Sequence, residues 1–201
     1  MTVLFTVWGY DVTAIEFASV ILAFAAIALG ITGTRWTWPL YFLSSLLYGW
    51  LFVEVNLFAS ASMQLIFMVA AVWGWFSWGR EGVRVPGRLS RAVRIGGAAA
   101  IVAGWALLAP VLQQIGGVAT RGDAFMLVGS AAAQLLMVWQ KQETWPVWIA
   151  VNTVGTALYA GQGLYFTSLF YAVLILMAVT GWRTWSARAA AAPATPDVAH
   201  A

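Results

Sequence analysis

Seven apolar stretches, each about 16 to 20 residues long, alternate with short polar breaks along this chain; that is the length a bilayer-spanning helix needs. Charges and turn residues set the boundaries. The first stretch runs from Val12 to Ile31 and stops at Thr32-Gly33-Thr34-Arg35. The second, Trp38 to Val53, is closed by Glu54. The third covers Ala59 to Trp78. A basic loop around Pro86-Gly87 leads to a Gly/Ala-rich fourth stretch, Ile95 to Leu112. The fifth runs from Asp123 to Trp139, the sixth from Thr144 to Ala160 and the seventh from Tyr165 to Trp182. The pattern predicts an all-α membrane protein of seven transmembrane helices.

Composition strengthens this reading. Apolar residues make up 62% of the 201 positions and charged residues 8%. A soluble domain carries about 25% charged residues, so a soluble globule has too little charge to cover its surface. There is no Cys, and the one His is His200, in the tail. Disulfides, thiolate chemistry and a positioned imidazole are therefore absent from the expected machinery. Metal and cofactor sites are not expected. Met1 to Tyr10 carries no basic n-region, so no cleaved signal peptide is expected. The Ala/Pro-rich segment from Ala187 to Ala201 is predicted to be a disordered cytoplasmic tail.

Charge placement gives the orientation. With the N-terminus outside, the inner side receives Arg35, Arg80, Arg84, Arg88, Arg91, Arg94, Lys141, Arg183 and Arg188. Only Arg121 falls outside. The positive-inside rule then places the C-terminus in the cytoplasm. The basic loop reads as a topology signal, and no nucleic-acid partner is expected.

A repeat lies beneath the spans. At an offset of 107 residues, Trp38-Pro39 matches Trp145-Pro146, and Gly74-Trp75 with Trp78 matches Gly181-Trp182 with Trp185. Leu51, Leu57, Ala71 and Val72 match Leu158, Leu164, Ala178 and Val179 without a gap. Glu16 falls on Asp123. Residues 1–186 therefore read as a single transmembrane domain. Within it, 12–78 and 123–185 are three-helix repeats and 95–112 is a linker helix. Three spans plus one linker give both repeats the same orientation, the parallel arrangement known from SWEET-type carriers. A cargo site is then expected between the bundles near the midplane.

Polar side chains inside apolar spans are costly and tend to mark a cavity or a helix contact. The candidates are Ser44, Ser45, Gln64, Gln134, Asn152 and Thr153, with Tyr48, Trp73, Trp148, Tyr159 and Tyr171 as aromatic neighbours. Trp145, Trp148 and Asn152 stand at i, i+3 and i+7, one face of a helix. Gln64 and Tyr171 are repeat mates. Aromatic faces with uncharged hydrogen-bonding groups suit a heteroaromatic ring bearing hydroxyls, and a cationic ring gains further on tryptophan. The plainer roles are interfacial belt residues for Trp36, Trp38, Trp78, Trp139 and Trp185, close helix packing for the serines, and interhelical hydrogen bonds for the amides. Glu16 and Asp123 read as acids at helix starts, and Glu54 as a solvated outer-face residue.

Two segments carry a family resemblance. Gln64 to Trp78 (QLIFMVAAVWGWFSW) resembles the third span of the nicotinamide riboside transporter family, PnuC type. Gln134 to Tyr159 (QLLMVWQKQETWPVWIAVNTVGTALY) resembles its Trp-x-x-Trp-x-x-x-Asn region. Gly163-Leu164-Tyr165 and Gly181-Trp182 to Trp185 extend the likeness to residues 11–186. The resemblance implies a pseudo-symmetric SWEET-like fold, facilitated diffusion with cytosolic phosphorylation by a kinase, and a homotrimer in the bacterial inner membrane. It implies substrate contacts at Trp148 and Asn152, then Gln64, with Trp145 at the outer motif position; Gln134, Tyr171, Ser45 and Tyr48 complete the expected set. The chain departs from the family pattern at Ala71, Trp73 and Ser44-Ser45. Sister branches carry thiamine or riboflavin, so these stand as the alternative cargo. A membrane enzyme lacks an acid–base set here, and a non-transporting adaptor would not need the polar lining.

Overall fold

The computed structural model describes residues 2–7, 9–54, 58–83, 85–114, 120–163 and 165–192. The expectations for Leu57, Arg84, Leu164 and the tail from Pro193 through His200 lie outside those residues. Among the described residues the chain forms one hairpin and seven helices: α1 (Ala14–Thr32), α2 (Thr37–Glu54), α3 (Phe58–Ser77), α4 (Arg91–Gln114), α5 (Thr120–Val138), α6 (Thr144–Gly161) and α7 (Tyr165–Ala191). Among the described residues, three helices are long and apolar enough to cross a membrane by length and composition: α1, α4 and 167–191 of α7. Met63–Ser77 of α3 is a shorter apolar helix.

The hairpin, β1 (Val3–Val7) with β2 (Tyr10–Thr13), was not anticipated. Gly9 turns it at φ 81°, and Phe5 sits edge-on to Phe17 of α1 at 5.7 Å. Val12 therefore belongs to a strand, and the first helix starts two residues later than expected. Thr13 caps it, accepting from the Glu16 backbone N–H at 3.2 Å. Thr-x-x-Glu is the sequence of a capping box. A second correction concerns the tail. Ala187 to Ala191 are helical, because alanines propagate a helix readily and Arg188 donates through Nη1 to the Thr32 carbonyl at 2.6 Å.

Helices α1, α2 and α3 pack in sequence, as do α5, α6 and α7, and α4 lies against α5. The two sets meet where α3 touches α5 and α1 touches α7. The 107-residue offset carries α1 onto α5 and α3 onto α7, so these two contacts are counterparts and the repeat extends into the packing. Thr37 Oγ1 donates to the Ala26 carbonyl at 2.7 Å, and Thr144 Oγ1 to that of Ala133 at 2.8 Å. Each bond ties the start of one helix to the end of its predecessor. Pro39 and Pro146 follow in the first turn, where a missing N–H costs no helical bond.

The turns repeat as well. Gly33 at φ 73° and Gln140 at φ 57° both adopt the left-handed conformation. Thr34 N–H donates to the Leu29 carbonyl and Lys141 N–H to that of Leu136, bonds of the Schellman type. Glycine fills one position without strain, while a non-glycine residue costs about 1–2 kcal/mol there.

The α3–α4 loop fastens both turns. Val83 N–H donates to the Gly33 carbonyl, and Gly87 N–H to that of Gln140. Gln142 Nε2 donates to the Pro86 carbonyl at 3.0 Å. Glu143 Oε1 accepts from Leu89 N–H at 3.1 Å and pairs with Arg94 Nε at 2.8 Å. One face of the molecule thus gathers the α1–α2 turn, the basic loop, the α5–α6 turn and the end of α7.

Candidate functional site

At that basic end four tryptophans meet across the two repeats. Trp38 stands edge-on to Trp78 at 5.0 Å, Trp78 lies 6.0 Å from Trp185, and Trp185 stands edge-on to Trp145 at 5.4 Å. Trp78 Nε1 donates to the Met137 carbonyl at 3.1 Å, and Trp185 Nε1 to that of Gly30 at 3.2 Å. Donors and acceptors are all repeat mates, so each half bonds into the other. A Cβ at Gly74 would lie 2.2 Å from the Trp38 ring, and one at Gly181 would lie 2.6 Å from Trp145. Glycine at those positions is what lets the indoles seat against the helix backbone.

This overturns part of the interfacial-belt expectation. Trp38, Trp78 and Trp185 are 0%, 3% and 0% exposed, and form the core. Trp36 and Trp139, at 61% and 51%, remain outward. What separates them is the glycine opposite Trp38 and the indole N–H bonds of Trp78 and Trp185 into the other repeat.

Trp145 belongs to this core, 2% exposed. Trp148, one turn further along α6, packs against it, as does its repeat mate Tyr41. Tyr41 was missed from the sequence; the 107-residue offset pointed to it. Asn152 is buried mid-helix, 4% exposed. Its repeat mate Ser45 is buried at the same level of α2. The neighbouring Ser44 donates to the Ser19 carbonyl at 2.9 Å, the close-packing role.

Gln134 is 2% exposed, and its Nε2 is buried without a partner among the described residues. The same is true of Trp145 Nε1 and Trp38 Nε1. A buried donor left unmade costs about 1–3 kcal/mol. The Thr144–Ala133 bond brings Gln134 of α5 to the level of Trp145. Tyr171 lies further from the basic end. Its ring is 5.2 Å from Tyr159, and a Cβ at Gly155 would come within 2.5 Å of it. Gln64 packs its Cβ at 3.5 Å from where a Gly49 Cβ would lie. Tyr48 stacks on Phe52 at 5.7 Å. Tyr171 sits against Gly155, so at ~1.5 Å per residue the expected residues from Trp145 to that level spread over about 15 Å of the α6 axis. They form a column of levels rather than one shell.

Two candidates face elsewhere. Trp73 is 45% exposed and stands edge-on to Trp139 at 6.1 Å. Thr153 is exposed and donates to the Ile149 carbonyl of its own helix at 2.8 Å. A cavity of about 830 Å³ lies beside α4, lined by residues of α4, α5, α6 and Trp182. None of the eight expected contact residues lines it. Among the described residues there is no cluster of three or more His, Cys, Asp or Glu side chains that would hold a metal ion.

With this geometry in hand, the chain resembles several known proteins. It is 26% identical to the nicotinamide riboside transporter PnuC of Escherichia coli, over 88% of this chain and 87% of that one. It is 29% identical to the riboflavin/roseoflavin transporter RibM of Streptomyces davaonensis, over 82% and 81%. The crystal structure of the vitamin B3 transporter PnuC superposes with a TM-score of 0.72 at 19% identity, over 88% of this chain and 82% of that one, a likeness of fold. The family model for nicotinamide mononucleotide transporters matches residues 13–187, from the α1 cap to the last turns of α7, so the chain belongs to that transporter family.

Proposed function

We propose that this transporter carries nicotinamide riboside across the bacterial inner membrane by facilitated diffusion, with phosphorylation by a cytosolic kinase trapping it inside. All seven helices then span the bilayer, with the N-terminus outside and the basic face in the cytoplasm. Two parallel three-helix bundles, residues 12–78 and 123–185, flank the pathway, and 95–112 links them. The working unit is a homotrimer.

The observation that carries this reading is the α6 column. Trp148 offers a ring face beside the tryptophan core, and Asn152 offers a buried carboxamide one further turn toward the midplane. A pyridinium ring stacked on tryptophan gains up to about 2 kcal/mol when desolvated. Asn152, with the unspent donor of Gln134, supplies hydrogen bonds to ribose hydroxyls and a carboxamide. Gln64, Ser45, Tyr48 and Tyr171 line the pathway toward the outer side, and Trp145 supports the stack from below. No catalytic role is assigned, and transport needs no cofactor.

Riboflavin is the second reading. The RibM relative supports it. Titration calorimetry on the purified protein with nicotinamide riboside, riboflavin and thiamine separates the cargoes. Nicotinamide riboside is expected to bind in the micromolar range, at least tenfold tighter than the other two. Tighter binding of riboflavin transfers the assignment to that cargo, and binding of none below millimolar abandons both.

A further inference from the structure

The cavity beside α4 plays no part in the carrier reading. It is a groove of about 830 Å³, within the usual range for a small-molecule site. Gly97, Ala98 and Ile101 of α4 form one wall, and Val128 and Leu135 of α5 form the other. Small residues on α4 keep the groove open, and only 6% of that helix's apolar span is buried. In a bilayer such an apolar groove fills with hydrocarbon.

One end of the groove is different. Arg88 and Arg94 lie there, together with Gln142 and Glu143. Arg88 Nε donates to Gln142 Oε1 at 3.2 Å, and Arg94 Nε to Glu143 Oε1 at 2.8 Å. Both guanidiniums are oriented through Nε, which leaves their forked Nη ends for a further acceptor. At the rim two arginines therefore stand against the one carboxylate of Glu143, and the balance stays positive. Trp139 and Trp182 also border the groove and are about half exposed, as suits aromatics at a membrane interface.

The length fits one leaflet. From Trp139 to Val128 the groove follows α5 for about 16 Å at ~1.5 Å per residue. Half of a ~30 Å hydrocarbon core is about 15 Å. We propose that the groove binds an anionic phospholipid of the inner leaflet, with its phosphate on Arg88 and Arg94 and acyl chain along Ala98, Ile101 and Val128. Basic pockets between spanning helices on the cytoplasmic side are suited to such head groups. The inference rests on the membrane placement proposed above and not on the identity of the cargo.

Native mass spectrometry of the full chain, incubated with equimolar phosphatidylglycerol and phosphatidylcholine, tests it. One phosphatidylglycerol per chain is expected, retained about fivefold or more over phosphatidylcholine. Arg88→Gln removes that preference. Ala98→Trp fills the apolar wall and releases both lipids, while nicotinamide riboside binding stays at the wild-type level. Equal retention of the two lipids by the wild type overturns the proposal, as does undiminished phosphatidylglycerol on Ala98→Trp. A cross-link from position 98 into a second copy of the chain also overturns it, since protein then covers the groove. If Ala98→Trp does not fold, the head-group preference of Arg88→Gln decides. Wild-type protein that keeps the lipid yet binds no nicotinamide riboside counts against the cargo and leaves the lipid site standing.

Discussion

Replacing Trp148 with alanine is expected to weaken nicotinamide riboside binding about thirtyfold, and Asn152→Ala by about five- to 150-fold. The first figure follows from losing ~2 kcal/mol of cation–ring attraction in a desolvated site. The second follows from leaving the ligand's polar group without its partner, ~1–3 kcal/mol. Trp148→Phe keeps a ring face and is expected to retain part of the affinity, which a purely structural role would not predict. Titration calorimetry measures all three. Thr153→Ala is the internal control. Its side chain sits one residue beyond Asn152, yet is exposed and bonds its own helix, so its affinity should not change. If Trp148→Ala and Asn152→Ala both bind like wild type, the α6 column is not the site.

The second large effect is on stability and follows from the repeat. Gly74→Ala forces a methyl group against the Trp38 ring, and Gly181→Ala does the same against Trp145. Overpacking a filled core costs about 1–3 kcal/mol. These rings hold the junction where Trp78 and Trp185 bond across the repeats, so the neighbours have little room to yield. Both variants are expected to lower the midpoint of thermal unfolding by similar amounts, several degrees, in detergent-purified protein. Gly96→Ala, where an added Cβ meets nothing within 4 Å, should leave it unchanged. Equal midpoints for all three would remove the interlocked-tryptophan account of how the halves are held.

Much of this was legible in the sequence, for identifiable reasons. Helix boundaries followed from charges and turn residues, because the solvation of Arg35, Glu54 or Lys141 is a strong local signal. The repeat was legible because Trp-Pro and Gly-Trp-x-x-Trp are rare pairings at one offset. Its structural meaning was not. A tryptophan near a span end reads as a belt residue unless its packing face is known, and burial of Trp38 depends on Gly74, 36 residues away. The hairpin is hard to read because its strands are only five and four residues long and its turn lacks an Asn-Gly or Asp-Gly pair. The column from Gln134 through Asn152 to Tyr171 was chosen residue by residue, but its extension over several levels needed the helix packing. Trp73 and Thr153 were chosen on chemistry alone, and the helix rotation turned both outward. The groove beside α4 depends on the gap between two helices, which no single-chain pattern encodes.

Counterflow in proteoliposomes tests the central claim most directly. Vesicles holding this protein are loaded with unlabelled nicotinamide riboside and diluted into a trace of labelled compound, with no ion gradient present. A gradient-independent carrier predicts a transient accumulation of label above its outside concentration, unaffected by a protonophore. Absence of exchange in vesicles whose protein binds the cargo, or accumulation that collapses when a proton gradient is removed, would contradict the account.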